Sequence, residues 1–223
     1  MTAREFIAAL AAIRLPSVFN PYADICDVFD RPNAPKIRRT NLQIFLEAAL
    51  KKKVRTIWIA RDLGHRGGRR TGIPMTDEIH LDKAGALLDG IRLRRATKGP
   101  AMAERTAAVV WRVLSEIEQP VLLWNVFPFH PHDPNDSFSN RCHTKDERSI
   151  TMPLLMRLIE MIRAERLVAI GRDAQQALHD VDISVSTVRH PSYGGQSEFI
   201  SALHNLYGLG ARDAILFPSR ARQ

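Results

Sequence analysis

A three-layer α/β/α sandwich around a central parallel four-stranded sheet is the fold class this sequence predicts, and three observations predict it. Four short runs rich in β-branched, leucine and aromatic residues (54–60, 120–127, 166–170 and 183–188) read as buried strands. Between them lie segments whose apolar residues recur at helical spacing, the alternation that gives parallel strands covered by helices on both faces. With 223 residues, 45% of them hydrophobic, the chain can bury one substantial core, so a single domain over residues 1–223 is expected.

Residues 3–13 place Phe6, Ile7, Leu10 and Ile13 on one helical face, and Pro16 stops the helix. Residues 18–36 interleave prolines with Asn and Asp, which predicts an irregular wrap over the surface. Thr40 is expected to cap a helix reaching residue 53, whose last turn of Lys51, Lys52 and Lys53 suits the negative end of the helix dipole. The first strand then feeds a loop rich in glycine and arginine that carries Asp62 and, three residues on, His65. Its glycines let backbone approach a ligand, and its arginines suit phosphate.

Residues 75–99 give a weaker helical pattern, whereas residues 101–118 carry a clear apolar stripe of Ala107, Val110, Trp111 and Leu114. The second strand is apolar except for Asn125 near its end. A buried amide left unsatisfied costs about 1–3 kcal/mol, so either backbone groups or a ligand must partner it. Residues 128–148 form a long polar loop, and loops of this length inside a compact domain tend to be functional. Ser149 or Thr151 opens the next helix, to about residue 163, followed by the third strand, a helix over 174–179 and the fourth strand. The chain then reaches Arg189-His190-Pro191-Ser192-Tyr193-Gly194-Gly195, and residues 196–207 close as a helix with Phe199, Leu203 and Leu206 on one face.

Lys plus Arg outnumber Asp plus Glu by 32 to 24, giving +8 and a pI near 10, a balance that favours a polyanionic partner. No apolar run approaches the roughly 20 residues a membrane span needs, and the start lacks a basic-then-apolar signal pattern, so no membrane partner and a cytoplasmic location are expected. Cys26 and Cys142 are too few to hold an iron-sulfur cluster within one chain. His130, His132, Cys142 and His143 are good zinc ligands by type, but their spacing matches no common zinc pattern. No metal or other cofactor is expected.

In open parallel sheets ligands bind beyond the carboxyl ends of the strands. Three strand ends here carry polar groups: Asp62 with His65, then Asn125, then His190 with Ser192. An amide reads the edge of a planar base, an imidazole stabilises an anion leaving it, and a carboxylate positions water and favours positive charge. Those are the needs of N-glycosidic cleavage through an oxocarbenium-like transition state.

The segments resemble the uracil-DNA glycosylase superfamily. Ala60-Arg61-Asp62-Leu63-Gly64-His65 is similar to the Gly-Gln-Asp-Pro-Tyr-His motif of its founding branch, Leu122-Leu123-Trp124-Asn125 to its strand ending in asparagine, and His190-Pro191-Ser192 to its His-Pro-Ser motif. Thr71-Gly72-Ile73-Pro74 and Asn125-Val126-Phe127-Pro128 look more like other branches. The resemblance implies that Asp62 orients or activates the attacking water, Asn125 recognises uracil and His190 stabilises the departing anion. It also implies that Gly64, His65 and Met75 line the substrate, Met75 standing where the family stacks a phenylalanine. Ser192 would hold a phosphate, and the loop of Tyr193 and Gly194 would enter the minor groove, with Tyr193 or Gln196 as the wedge. Arg69, Arg70, Ser139, Asn140 and Arg141 are assigned to the DNA backbone.

The implied partners are uracil-containing DNA, abasic-site DNA and free uracil, bound by a monomer. Where the founding branch has a tyrosine that excludes the thymine methyl, this chain has Gly64, so discrimination comes from another side chain or is weaker. The same resemblance admits a second reading, a degenerate member that binds uracil-containing or abasic DNA without turnover. An unrelated Rossmann-like nucleotide binder is disfavoured, because the first loop lacks a Gly-x-Gly-x-x-Gly run leading into a helix.

Overall fold

The computed structural model describes residues 1–117 and 119–209; Glu118 and residues 210–223, which fall within the expected helix and the expected single domain, lie outside the described residues. In chain order the elements are α1 (Ala3–Ala12), β1 (Val18–Phe19), α2 (Ala34–Lys51), β2 (Thr56–Asp62), α3 (Gly68–Thr71), α4 (Leu81–Leu87) and α5 (Arg105–Leu114). There follow β3 (Leu122–Phe127), β4 (His130–Pro131), α6 (Lys145–Ile162), β5 (Arg166–Ile170), α7 (Arg172–Ala177), β6 (Ser184–Val188) and α8 (Gln196–Tyr207).

The four predicted strands form one parallel sheet in the order β3-β2-β5-β6. Register explains how both faces are covered. Trp58 of β2 pairs with Leu123 and the next residue, Ile59, with Trp124, so the two tryptophans point to opposite faces. Trp58 packs edge-on against Phe199 of α8, with ring centroids 6.3 Å apart, and donates its indole N–H to the Tyr207 hydroxyl at 2.8 Å. Trp124 packs against Phe6 of α1 on the other side, 5.5 Å between centroids. Because every strand runs the same way, all four carboxyl ends share one edge of the sheet.

Several boundaries differ from expectation. β2 runs through Asp62, so this carboxylate ends the strand and does not sit on the loop. α2 begins at Ala34, not at Thr40: Pro35 sits in its first turn, where a missing N–H costs nothing. α5 begins at Arg105. α6 begins at Lys145 behind a capping box, in which the Thr144 hydroxyl accepts from the Glu147 amide and the Glu147 carboxylate accepts from the Thr144 amide. The wrap over residues 18–36 and the polar loop over 128–148 are tied together by a two-stranded antiparallel ribbon of β1 and β4. Among the described residues no helix is long and apolar enough to cross a membrane.

Candidate active site

Asp62 closes β2 with both carboxylate oxygens engaged. Oδ2 accepts from Arg61 Nε at 2.6 Å, and Oδ1 is hydrogen-bonded to Nδ1 of His143. Arg61 also reaches Asp173 at 3.2 Å, and the His143 ring lies 5.4 Å from that of Phe127. Asp62 is therefore held rigidly at the sheet edge by two neighbours on different segments.

His190 follows β6 by two residues. Gly171, at φ +88°, occupies a region that favours glycine, and a Cβ there would stand 3.3 Å from the His190 Cβ. The Ser192 amide donates to His190 Nδ1 at 3.2 Å and the Ser192 hydroxyl lies 2.5 Å from the same nitrogen; with Nδ1 assigned as acceptor of both, the neutral ring carries its proton on Nε2. Burial, and then the positive charge of Arg61, hold the imidazole below its ordinary pKa of 6.5. At neutral pH the ring is thus an uncharged donor.

Asp62 and His190 both line a cavity of about 160 Å³, together with Gly64, Met75 and Glu104. Met75 is buried and held at φ +51°, an uncommon conformation for a side-chain-bearing residue, on the wall of this cavity. The same pair also borders an adjoining cleft of about 630 Å³ that runs past Arg172, Arg189 and Ser192.

Asn125 departs from the expected three-way meeting. It is fully buried, does not line the cavity, and donates from Nδ2 to the Asp62 carbonyl at 3.0 Å, while its Oδ1 has no partner among the described residues. The structure brings Asp62 and His190 together and leaves Asn125 behind Asp62, half satisfied. His65 is also outside the cavity wall. Its amide donates to Asn140 Oδ1 at 3.1 Å, its Nδ1 meets Asn140 Nδ2 at 3.2 Å, and burial followed by the Arg66 charge lowers its pKa.

Two members of the expected DNA-contact set are corrected by burial. Arg69 and Arg70 are only 2% and 6% exposed, stacked over Phe19 and Phe29 at 4.0 and 3.9 Å from the ring centroids. Arg70 is paired with Glu78 at 3.0 Å, and Arg69 is engaged by His130 at 3.1 Å and by the Ser137 carbonyl. Arg141 is clamped by both oxygens of Glu147 at 2.8 and 2.6 Å. The Ser139 hydroxyl accepts from the Asp133 amide and donates to the Asp136 carbonyl, both at 2.8 Å, and Asn140 serves His65. Burial takes Arg69 and Arg70 away from the surface, whereas Ser139, Asn140 and Arg141 hold protein segments together while remaining partly open to solvent. Tyr193 differs: it is 99% exposed at φ +52°, beside Gly194 at φ +77°, on the tip of the loop after His190.

Reading the sequence missed Glu104, His143 and Arg61, all of which reach Asp62 or its cavity. Arg61 adjoins Asp62 and was legible as a neighbour, whereas His143 lies 81 positions away from Asp62. Among the described residues no three His, Cys, Asp or Glu side chains group to hold a metal. Burial and then Arg69 push His130 down to about 3, and its Nε2 meets the Ser139 carbonyl at 2.8 Å.

A parallel α/β/α sheet with a small polar cavity at its carboxyl edge defines the class of a pocket-bearing α/β protein whose chemistry sits beyond the strand ends. The chain belongs to the uracil DNA glycosylase superfamily, whose family model matches residues 50–204. It is similar in fold to SMUG2 of Pedobacter heparinus, with a TM-score of 0.61 and 13% sequence identity over 95% of this chain and 99% of that one. No curated protein sequence matches it.

Proposed function

We propose that the protein is a monofunctional uracil-DNA glycosylase, one domain acting as a monomer in the cytoplasm. It flips deoxyuridine out of DNA and hydrolyses the N-glycosidic bond, releasing free uracil and leaving abasic-site DNA. The observation that carries this reading is the cavity in which the Asp62 carboxylate and the neutral His190 face one small space, in a member of this superfamily.

As the glycosidic bond breaks, positive charge develops on the sugar and negative charge on the base. Asp62, fixed by Arg61 and His143, offsets the sugar's charge and orients water. His190 offers its Nε2–H to the base oxygen that gains charge; a neutral donor suits this because it needs no prior protonation. The unpartnered Oδ1 of Asn125 is the acceptor that a pyrimidine ring N–H satisfies once Asn125 turns toward the base. Tyr193, almost wholly exposed, suits insertion beside the displaced nucleotide. Phosphate contact falls to Arg66 and Arg172, exposed at the rim, with the half-buried Ser192 hydroxyl, which also lies 2.5 Å from His190 Nδ1.

Incubating the protein with single-stranded and duplex oligonucleotides containing uracil, then cleaving abasic sites with alkali, tests this reading. Strand scission with free uracil is expected; no scission with either substrate overturns it. A second reading, binding of uracil-containing or abasic DNA without turnover, is favoured by one observation: both Asp62 oxygens are already occupied by protein donors. A stable gel-shift complex that releases no uracil is its signature.

A further inference from the structure

One wall of the cavity has no part in the chemistry above. Glu104 is the residue before α5, and its side chain lies over the glycine loop that follows β2. A Cβ on Gly64 would fall 2.0 Å from Glu104 Oε1, and one on Gly67 would fall 2.1 Å from Oε2. Each carboxyl oxygen thus takes the room of a side chain that is absent, and a side chain at 64 or 67 would oblige the carboxyl to swing aside. The carboxyl reaches the same cavity as Asp62, Met75 and His190.

The common reasons for an acid at this place do not apply. Glu104 makes no side-chain capping bond to α5, and among the described residues its carboxyl has neither a hydrogen bond nor an ion pair, although its own amide donates to Asp77 Oδ2 at 2.7 Å. A half-buried carboxyl with spare donor and acceptor capacity, aimed into a pocket, is a group without a protein partner. Its charged surroundings are Asp77 (itself paired with His80), Arg66, and the cavity's own Asp62, Arg61, Arg141 and His190. Burial and then Asp77 push its pKa up to about 7, against the pull of Arg66.

We propose that Glu104 is the specificity-determining residue of this pocket, its carboxyl standing where a side chain at position 64 would meet the base and rejecting a base that presents a methyl there. This rests on the glycosylase reading of the site. Beside a bare ring edge the carboxyl keeps water or a base oxygen as its partner; a methyl in that place strips the partner away. Ionisation adds a second consequence. A carboxylate against a base that leaves as an anion opposes the developing charge, so the uncharged carboxyl is the competent form and kcat/KM falls as pH rises through about 7.

The test measures base release by the full chain from oligonucleotides carrying uracil or thymine opposite guanine, for wild type, Glu104→Ala, Glu104→Gln and Gly64→Ala, across pH 5.5–8.5. In Glu104→Ala the uracil-over-thymine ratio of kcat/KM should fall by about 10- to 200-fold, the range a pocket methyl commands. Glu104→Gln, of the same shape and always neutral, should keep the ratio but lose the decline above neutrality. Gly64→Ala, whose new methyl displaces the carboxyl, should lower the same ratio while Glu104 stays in the chain. If wild type releases uracil while Glu104→Ala keeps its ratio and Glu104→Gln keeps the wild-type pH profile, the assignment is overturned and the glycosylase reading stands. If wild type releases no base from any substrate, both fall together. Where the alanine variant does not fold, Glu104→Ser, which also withdraws the carboxyl from over Gly64, supplies the same ratio.

Discussion

Two regions of this molecule are built from the same residue types and use them in opposite ways. Around Glu78 and Asp30, arginines are buried and matched: Arg38 with Asp30, Arg70 and Arg95 with Glu78 at 3.0 and 3.4 Å, while Thr97 and the Met102 amide complete the Glu78 carboxylate. At the carboxyl edge of the sheet, polar groups are left incomplete: among the described residues Asn125 Oδ1 has no partner and no side chain pairs with the Glu104 carboxyl, while Tyr193 stands in solvent. Buried charge survives only when paired, so the first region is a clasp between segments. Unsatisfied groups at a pocket cost stability, and that cost is tolerated where a ligand completes them. A run of arginines is therefore no guide to a phosphate site until its partners are known.

The sharpest way to break the contrast is to unpair the clasp. Glu78→Gln strands Arg70 and Arg95 without a counter-charge, and the expected loss is about 3–5 kcal/mol in a urea titration. Burial alone would raise the Glu78 pKa, but hydrogen bonds from Thr97 and Met102, with the charge of Arg70, hold it below the usual 4.5. A carboxyl depressed in the folded state adds stability that is present above its unfolded pKa and lost as pH falls through the folded one. Wild-type stability should therefore drop on the acid side of about pH 4.5, with a shallower drop in Glu78→Gln. An unchanged acid limb would show that this carboxylate is not a clasp.

His143→Ala probes the boundary between the two regions, since it removes one of the two ties on Asp62. A hydrogen bond to a charged group is worth about 1.5–3 kcal/mol. The expected result is a fall of roughly ten- to a hundredfold in uracil release, measured where the variant is still fully folded. A loss confined to stability would make His143 a packing residue. Smallest is the salt response: Arg66→Ala, at the exposed rim, should reduce the slope of log K against log salt by about 1, whereas Arg141→Gln leaves it unchanged. Equal slopes in the two variants would contradict the division between free and paired arginines.

Strands β3 and β5 were legible as short runs of Val, Ile, Leu and Trp with few polar residues, β6 by its β-branched Val and Thr, and the closing helix because Phe199 and Leu203 recur at its period. The start of α6 was also written in the chain, as Thr144 followed by Glu147, but the prolines and polar residues before it masked the signal. What could not be read locally was pairing across distance. Arg69 and Arg70 look like phosphate ligands until Phe19, Phe29 and Glu78 close over them. Glu104 is an ordinary acid in sequence, and only the fold lays it across Gly64 and Gly67.

The most direct trial of the central claim, that Asp62 and His190 act on one base in one cavity, is the single-turnover rate of uracil release in Asp62→Asn and His190→Ala with DNA affinity measured alongside. Each should slow release by about 10²–10³ while binding is retained, as expected of groups that stabilise developing charge. Losses under about threefold in both variants would contradict it.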